Sequence, residues 1–445
     1  MKVLHLPYSY FPDPTGGTEV YVADLVRELG RLGISSAIAY ASAAEPGKYS
    51  WEGASVHRMQ LPAPATLDEL YGDQPSSVDA YLRVAEEVRP DVVHIHAYTP
   101  SLNGAVARAL KAAGFPITTT YHTPTVTCQR GTLLLFGNTV CDGVMLVDRC
   151  SACVLQKHSV PRPAADLLGA LPTVVGELLG HAGARRGAWA APRMSALMRT
   201  RIRDTAHFLR AADLLVAPAE WVRAVLIANG VDAEKIVLSP QGISDRSTNV
   251  PSGHSDRSSV EPLRAVMLGR IDPTKGIGVL LQALALVPEL PVRLDIFGAH
   301  DGTSGYHDSI RAAAASDQRV QLMAKIPHED VPDRLAEYDV MLVPSQGLET
   351  GPLVVLEAQS VGLPVIGSRL GAITDHVEHD VNGLLVAPRS PAAWAAALQR
   401  VANDRGVLAR LRAGARAPRS AREVAAQMAD IYSRLTSRAD RSAFA

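Results

Sequence analysis

Short apolar runs rich in β-branched residues recur along the chain between longer stretches of helical period. Val3–Leu6, Val92–Ile95, Ile117–Tyr121, Leu214–Ala217 and Ile236–Ser239 form one set. Ala265–Leu268, Val292–Phe297, Val320–Met323, Val340–Val343, Pro364–Gly367 and Leu384–Val386 form a second. Such runs predict strands buried on both faces, as in parallel sheets. In the segment after the first run, Val22, Leu25, Val26 and Leu29 fall on one helical stripe that Gly33 ends. Repeated alternation of this kind predicts a doubly wound α/β architecture.

The pattern lapses twice. Residues 244–262, SDRSTNVPSGHSDRSSVEP, are polar and rich in Ser, Pro and Gly, and read as a linker. Residues 155–211 carry apolar helical stretches such as Ala165–Leu179 but no strand signal, and read as a helical insertion. The expected organisation is therefore a first α/β domain over 1–243, containing a cysteine loop at 124–154 and the insertion at 155–211. The linker, a second α/β domain over 263–418 and a terminal segment at 419–445 follow. In the last segment Glu423–Leu435 reads as a helix that could return to the first domain. Open sheets of this type bind ligands beyond the carboxyl ends of their strands, so the expected site is a cleft between the two domains.

Length supports two domains: 445 residues exceed what one core normally holds. A formal net charge of −1 gives no general attraction to nucleic acid, and no nucleic-acid partner is expected. No apolar run reaches the ~18–20 residues of a bilayer span. The start, MKVLHLPYSYFPDP, has no long apolar core or small-residue cleavage site, so it reads as a strand and the protein as cytoplasmic. Arg185, Arg186, Arg193, Arg199, Arg201 and Arg203 cluster in the insertion. They read as a solvated face, or as a patch for peripheral contact with a membrane surface or an anionic acceptor. Oligomeric state is not encoded in any pattern of the sequence.

Three turns follow strands and carry chemistry. Asp13–Thr18 holds the pair Gly16-Gly17 just before the first helix, where backbone can approach an anion. GRIDPTKG, from Gly269 to Gly276, follows a strand of the second set and offers Arg270 and Lys275, two cations suited to a diphosphate. The third, LETGPLVVLEA, places Glu349 in a loop and Glu357 inside the helix that follows. A carboxylate among apolar residues is costly unless it accepts hydrogen bonds, and sugar hydroxyls are natural donors. His94 and His96 share one face of their strand and read as core or cleft lining rather than ligands.

All four cysteines, Cys128, Cys141, Cys150 and Cys153, fall within one stretch without clear strand or helix signal. In a cytosolic chain such clustering points to metal more than to disulfides. Four thiolates suit tetrahedral zinc, and an iron–sulfur cluster uses the same set. Free thiols or disulfides are the remaining readings.

Taken in order, Gly16-Gly17, Tyr121-His122-Thr123, GRIDPTKG, Glu349 with Glu357, Pro364-Val365-Ile366, Gly371 with Asp375, and Asn382–Val386 resemble the family-4 retaining glycosyltransferases of GT-B fold, over nearly the whole chain. The resemblance implies two Rossmann-like domains facing across a cleft and transfer of a sugar from a nucleotide-diphosphate donor. The acceptor would be a glycan, a lipid-linked compound or a small molecule, and no catalytic divalent metal is implied. It further implies that Arg270 and Lys275 hold the diphosphate, Glu357 meets the ribose and Glu349 binds donor-sugar hydroxyls. The amides of Leu353 and Val354 would face phosphate, His122 would reach the sugar near its reacting carbon, and Gly16 and Gly17 would let the first loop approach donor and acceptor. The chain departs from the family where Pro352 stands in place of a common Gly, which removes an N–H beside those amides. The cysteine cluster lies outside the common pattern and marks a subgroup. Two other classes stay open: a non-hydrolysing nucleotide-sugar epimerase and a non-catalytic nucleotide-sugar-binding protein.

Overall fold

The computed structural model describes the chain except for residues 14–15, 73–74, 184–186, 245–260, 299–304 and 443–445. Most of the polar 244–262 segment, together with Arg185 and Arg186, therefore lies outside the described residues. The rest divides into two units, Met1–Pro240 with Arg422–Ala445, and Gln241–Ala421.

The first unit is built on eight strands. In spatial order they are Ile236–Leu238, Leu214–Ala217, Ile117–Thr120, Val92–Ile95, Lys2–Leu6, Ser35–Ser42, Ala54–Gln60 and Gly47–Trp51. All neighbours run parallel except the last pair. Three of these strands, Ser35–Ser42, Gly47–Trp51 and Ala54–Gln60, carry no strong apolar run. SSAIAYAS is mostly alanine and serine, yet Ala37, Ile38, Ala39 and Tyr40 are buried within it because helices cover the sheet. The helix Gly17–Arg31 turns its predicted stripe, Val22, Leu25, Val26 and Leu29, into this core. The terminal helix Ala421–Ser442 adds Val424, Ala425, Met428, Ile431, Tyr432 and Leu435 to the same core.

The cysteine stretch is more regular than its sequence suggests. A short hairpin pairs Leu134–Leu135 with Thr139–Val140, and the helix Val147–Lys157 carries Cys150 and Cys153. The helices Arg162–Gly169, Thr173–His181 and Met194–Ala211 follow. The arginines here do not form one solvated face. Arg193 is buried and bonds Asp68 at 2.5 Å. Arg201 is also buried: it donates to Gln129 and to the carbonyls of Thr125 and Val126, and lies over the Tyr98 ring. These two serve internal bonding, since a guanidinium can be buried when carbonyls and a ring receive it.

The second unit holds six parallel strands in the order Val320–Met323, Val292–Phe297, Leu263–Leu268, Val340–Val343, Val365–Ser368 and Gly383–Val386. Numbered within the unit this is 3-2-1-4-5-6, the Rossmann arrangement. The first sheet reverses in the same way, between Lys2–Leu6 and Val92–Ile95. In each sheet the loops at the reversal splay to opposite sides and leave a crevice at the carboxyl ends. No helix among the described residues is long and apolar enough to cross a membrane.

Candidate functional site

In the second unit the reversal lies between Leu263–Leu268 and Val340–Val343, and the loops leaving these two strands carry the predicted residues. After the first, a single 3-10 turn, Pro273–Lys275, is capped by the Asp272 carboxylate, which accepts from the Thr274 amide at 2.8 Å. The turn delivers Lys275, whose Nζ bonds Glu349 Oε1 at 2.7 Å. Ser345 Oγ donates to the same oxygen at 2.7 Å. Burial pushes the Glu349 carboxyl up, but Lys275, Ser345 and the nearby Arg270 outweigh it and hold the group below its ordinary value. Glu349 is therefore an ionised acceptor at neutral pH. Arg270 itself is exposed beside the pair.

Two glycines fix this geometry. Gly276 sits at φ 76°, and a Cβ there would lie 1.9 Å from the Pro344 carbonyl oxygen, so the two loops touch backbone to backbone. Gly371, at φ 55°, lets its segment press on Glu349: a Cβ there would meet the Glu349 nitrogen at 2.8 Å, and the Ala372 amide donates to the Glu349 carbonyl at 3.0 Å.

Glu357 is buried in the helix Leu353–Ser360, with His328 Nδ1 3.5 Å from its Oε1. The Leu353 amide, expected to face phosphate, donates to the Gly351 carbonyl at 3.0 Å. Val354 follows it in the first turn, where helical amides have no partner within the helix. Sequence reasoning missed Gln346. Its amide donates to the Thr274 carbonyl, and its buried Oε1 has no hydrogen-bond partner among the described residues. An orphaned acceptor at a crevice is a place for a ligand hydroxyl or N–H. One Gln in a loop gives no signal of this in sequence.

In the first unit Gly16 caps the helix Gly17–Arg31 in an extended conformation, and its amide is taken by the Glu19 carboxylate at 2.8 Å. Gly17 is the first helical residue. His122 lies just beyond the strand Ile117–Thr120 and is wholly enclosed. Its Nε2 is 3.2 Å from His96 Nδ1, and its ring packs on Tyr21 with centroids 4.7 Å apart. His5, His94 and His96 complete a row of buried rings. Burial holds His5 and His122 near a pKa of about 3, and His94 and His96 well below the ordinary value, so all four are neutral at pH 7. Among the described residues, His5, His94 and His96 are the one set of three such side chains with ligand atoms within 4.8 Å of one another.

No three of the four cysteine sulfurs meet that spacing. Burial raises all of the thiols whose shifts are resolved, Cys150 to about 11. Backbone groups at Gly143, Leu146 and Phe136 bond Cys141, Cys150 and Cys153, the Phe136 amide at 3.2 Å. Arg149 and Arg130 stand nearby. A cavity of about 620 Å³ lined by Thr66, Asp68, Arg108, Arg203 and His207 also opens in the first unit, but shares no lining residue with these constellations.

Comparison with known proteins gives the geometry its context. Residues 16–242 match the glycosyl transferase 4-like domain, and residues 262–404 match the glycosyl transferases group 1 family. The chain is 35% identical over 250 residues to D-inositol 3-phosphate glycosyltransferase of Xylanimonas cellulosilytica, covering 51% of this chain and 58% of that protein. It is 26% identical to the enzyme of the same name from Thermobispora bispora, over 96% of this chain and 92% of that one. Among solved structures, sucrose-phosphate synthase from Thermosynechococcus elongatus superposes with a TM-score of 0.68 at 20% identity, covering 98% and 99% of the two chains. Anabaena HepE in complex with UDP and glucose superposes at 0.64 and 17%, covering 97% and 99%. These likenesses show the fold, two Rossmann-like domains of the GT-B class. With more than half of its length matched by the first of the two families, the chain belongs to the glycosyl transferase 4-like glycosyltransferases.

Proposed function

We propose that the chain transfers a sugar, with retention, from a nucleotide-diphosphate donor bound at the second unit's crevice. The observation that carries this reading is the Lys275–Glu349–Ser345 cluster beside Arg270, at the point where the sheet reverses. An ammonium has three donors, so Lys275 can hold Glu349 and still meet a diphosphate. Arg270 adds a second cation, and together they stabilise the charge on the departing nucleotide without a divalent ion. Glu349 accepts from donor-sugar hydroxyls, Glu357 from the ribose, and the Val354 amide contributes at the helix start. His122 meets the sugar from the first unit, with Gly16 and Gly17 bordering donor and acceptor.

In the transfer, the acceptor oxygen bonds the anomeric carbon on the face the phosphate leaves. The carbon–phosphate-oxygen bond breaks with its electron pair going to phosphate, which also takes the acceptor proton. No protein side chain is needed as covalent nucleophile. The names of the relatives favour a small phosphorylated polyol as acceptor over a glycan or lipid-linked one. Family membership does not favour an epimerase or a non-catalytic binder. The protein works in the cytoplasm on this reading, with peripheral membrane contact as a secondary property to be checked by liposome co-sedimentation.

Calorimetry with UDP-, GDP- and ADP-sugars, in buffer without divalent metal, tests the donor site. One nucleotide should bind at micromolar strength and weaken by about 1.5–3 kcal/mol in Lys275→Ala, as a lost charged hydrogen bond does. Binding indifferent to Lys275 would refute the site, and turnover with D-inositol 3-phosphate then tests the acceptor.

We further propose that Cys128, Cys141, Cys150 and Cys153 take a structural zinc ion, with an iron–sulfur cluster as the other occupant of four thiolates. Backbone groups and guanidiniums offset only part of the burial that disfavours thiolate here, and the sulfurs as placed are too dispersed for a tetrahedral site, whose sulfurs lie roughly 4 Å apart. Binding would draw the hairpin and the helix Val147–Lys157 together. Purified protein with neither zinc nor iron and four titratable thiols would end the proposal.

A further inference from the structure

Apart from the constellations above, the first unit holds two adjoining cavities beside its helical insertion. The larger, about 620 Å³, lies among the helices Leu67–Tyr71, Gly104–Ala112 and Met194–Ala211. The smaller, about 200 Å³, lies between the last of these and Thr173–His181. Asp68 and Thr200 line both. Glycines make the room. Gly176 and Gly180 are the buried face of Thr173–His181: a Cβ at Gly176 would meet the Ala196 Cβ at 2.8 Å, and one at Gly180 would meet Arg193 Nη2 at 2.8 Å. The helix therefore closes over the Arg193 guanidinium with bare backbone.

Two buried side chains on these walls have bonds left to make. Arg193 gives Nη2 to Asp68 at 2.5 Å, while its Nε and Nη1 have no hydrogen-bond partner among the described residues. Asp204 Oδ2 accepts from the Tyr98 hydroxyl and, at 3.0 Å, from the Gly104 amide, while its Oδ1 has no such partner. Arg193 and Asp204 are each 4% exposed, so bulk water does not serve them. The smaller cavity thus has unmade donors on its wall and the larger an unmade acceptor, and groups of this kind mark a place for something held.

That combination selects the chemistry. An inorganic anion would face the carboxylates of Asp68, Glu69 and Asp204, and a cation would face Arg108 and Arg203. An apolar ligand would leave both kinds of group without partners. A hydroxyl donates once and accepts twice, so sugar hydroxyls suit a guanidinium and a carboxylate alike. The larger volume, about 620 Å³, falls within the roughly 300–1,000 Å³ of small-molecule sites. Arg193 and Asp204 stand eleven residues apart along one helix, roughly 16 Å of its axis, so a ligand that serves both spans more than one ring.

We propose that the two cavities form one saccharide-binding site, taking a chain of two or three sugar rings whose hydroxyls accept from Arg193 at one end and donate to Asp204 at the other. Such a chain is either part of the acceptor or a saccharide that the reaction does not consume. Every residue of the site belongs to the first unit, so it stands apart from the donor reading.

The test uses the full chain without nucleotide. Saturation-transfer NMR is run with neutral glucose-, galactose- and mannose-based mono-, di- and trisaccharides and with inorganic phosphate, and the arginine Nε–H signals are followed beside it. Di- or trisaccharides should bind at least about tenfold more tightly than the monosaccharides and shift the Arg193 signal. Arg193→Lys, which keeps a cation beside Asp68 but loses the fork, should weaken them by about tenfold or more. Thr200→Met, a longer side chain at the half-buried wall common to both cavities, should bring disaccharide binding down to the monosaccharide level. No saccharide binding, phosphate binding in its place, or binding unchanged in a folded Thr200→Met protein would each overturn the site. Turnover then separates the two sources: a raised acceptor KM at unchanged kcat in Thr200→Met assigns the site to the acceptor, and unchanged turnover with lost binding assigns it to a separate saccharide. Binding without any turnover would leave this site standing while the transfer reading fails.

Discussion

Both sheets reverse strand order once, and each reversal carries a polar constellation, but the two are made of opposite materials. At the second unit's crevice Lys275 and Glu349 are charged, paired and half-buried. At the first, four imidazoles are uncharged and enclosed. Charge tolerates that position because the crevice leaves it partly hydrated, and a pair of this kind can exchange one partner for a ligand at modest cost. Full enclosure is tolerated by the histidines because they give up their protons, so no ionic desolvation is paid there. One constellation is built to receive charge; the other is built to exclude it.

Acid should break that contrast most visibly. His5 and His122 sit near 3 in the folded protein, against an ordinary 6.5. Between those values the unfolded chain binds more protons, so stability is full above about 6.5 and falls as pH drops toward 3, by up to about 1.4 kcal/mol per pH unit for each ring. Glu349, held low, adds almost nothing between pH 7 and pH 5, because its contribution is lost only as pH falls below its ordinary value of 4.5. Hydrogen exchange at pH 7 and pH 5 should show protection falling further in the first sheet than in the second, in whose unit His376 is, among the described residues, the histidine that burial holds low. Equal losses would mean the rings are not enclosed as described.

A smaller effect should come from Gly276→Ala. The left-handed backbone costs about 1–3 kcal/mol, and the clash with the Pro344 carbonyl adds about 1–3 kcal/mol. Gly33→Ala is the control: it has a similar φ of 75° but open space around it, so only the first of those costs applies. Denaturant midpoints for the two variants separate strain from contact. The smallest effect sharpens the histidine side. Tyr432→Phe leaves the buried Nδ1 of His94 without its hydroxyl partner, which should cost about 1–3 kcal/mol of first-unit stability while nucleotide binding stays as in wild type.

Eleven strands announce themselves as apolar runs, and each is present within a residue or two. Ser35–Ser42 does not, because alanine and serine bury well under helices without leaving a hydrophobic signature, and Gly47–Trp51 does not, because it is a largely exposed edge strand. The helix Val147–Lys157 was hidden for a related reason: its cysteines and charges read as loop chemistry, whereas Ala152, Val154 and Leu155 supply its buried face. Site residues were legible where the chain compresses them into one turn, as in GRIDPTKG. His5 is separated from His96 by 91 positions and from Ser36 by 31, so only parallel pairing brings them together. His328 opens a short 3-10 turn and Gln346 sits in a loop, and no local pattern distinguishes either from its neighbours.

The terminal helix has a consequence for the order in which the protein is made. Domains ordinarily mature as they leave the ribosome, the first one first. Here the first unit lacks Val424, Met428, Ile431 and Tyr432 until the segment beyond the second unit emerges, and the second unit, 241–421, is by then fully synthesised. The later body is thus the first to be complete. Until the helix arrives, the nascent first sheet carries an open apolar trough, with His94 facing into it where Tyr432 will sit, and a stalled or clipped chain would display that trough to chaperones and proteases.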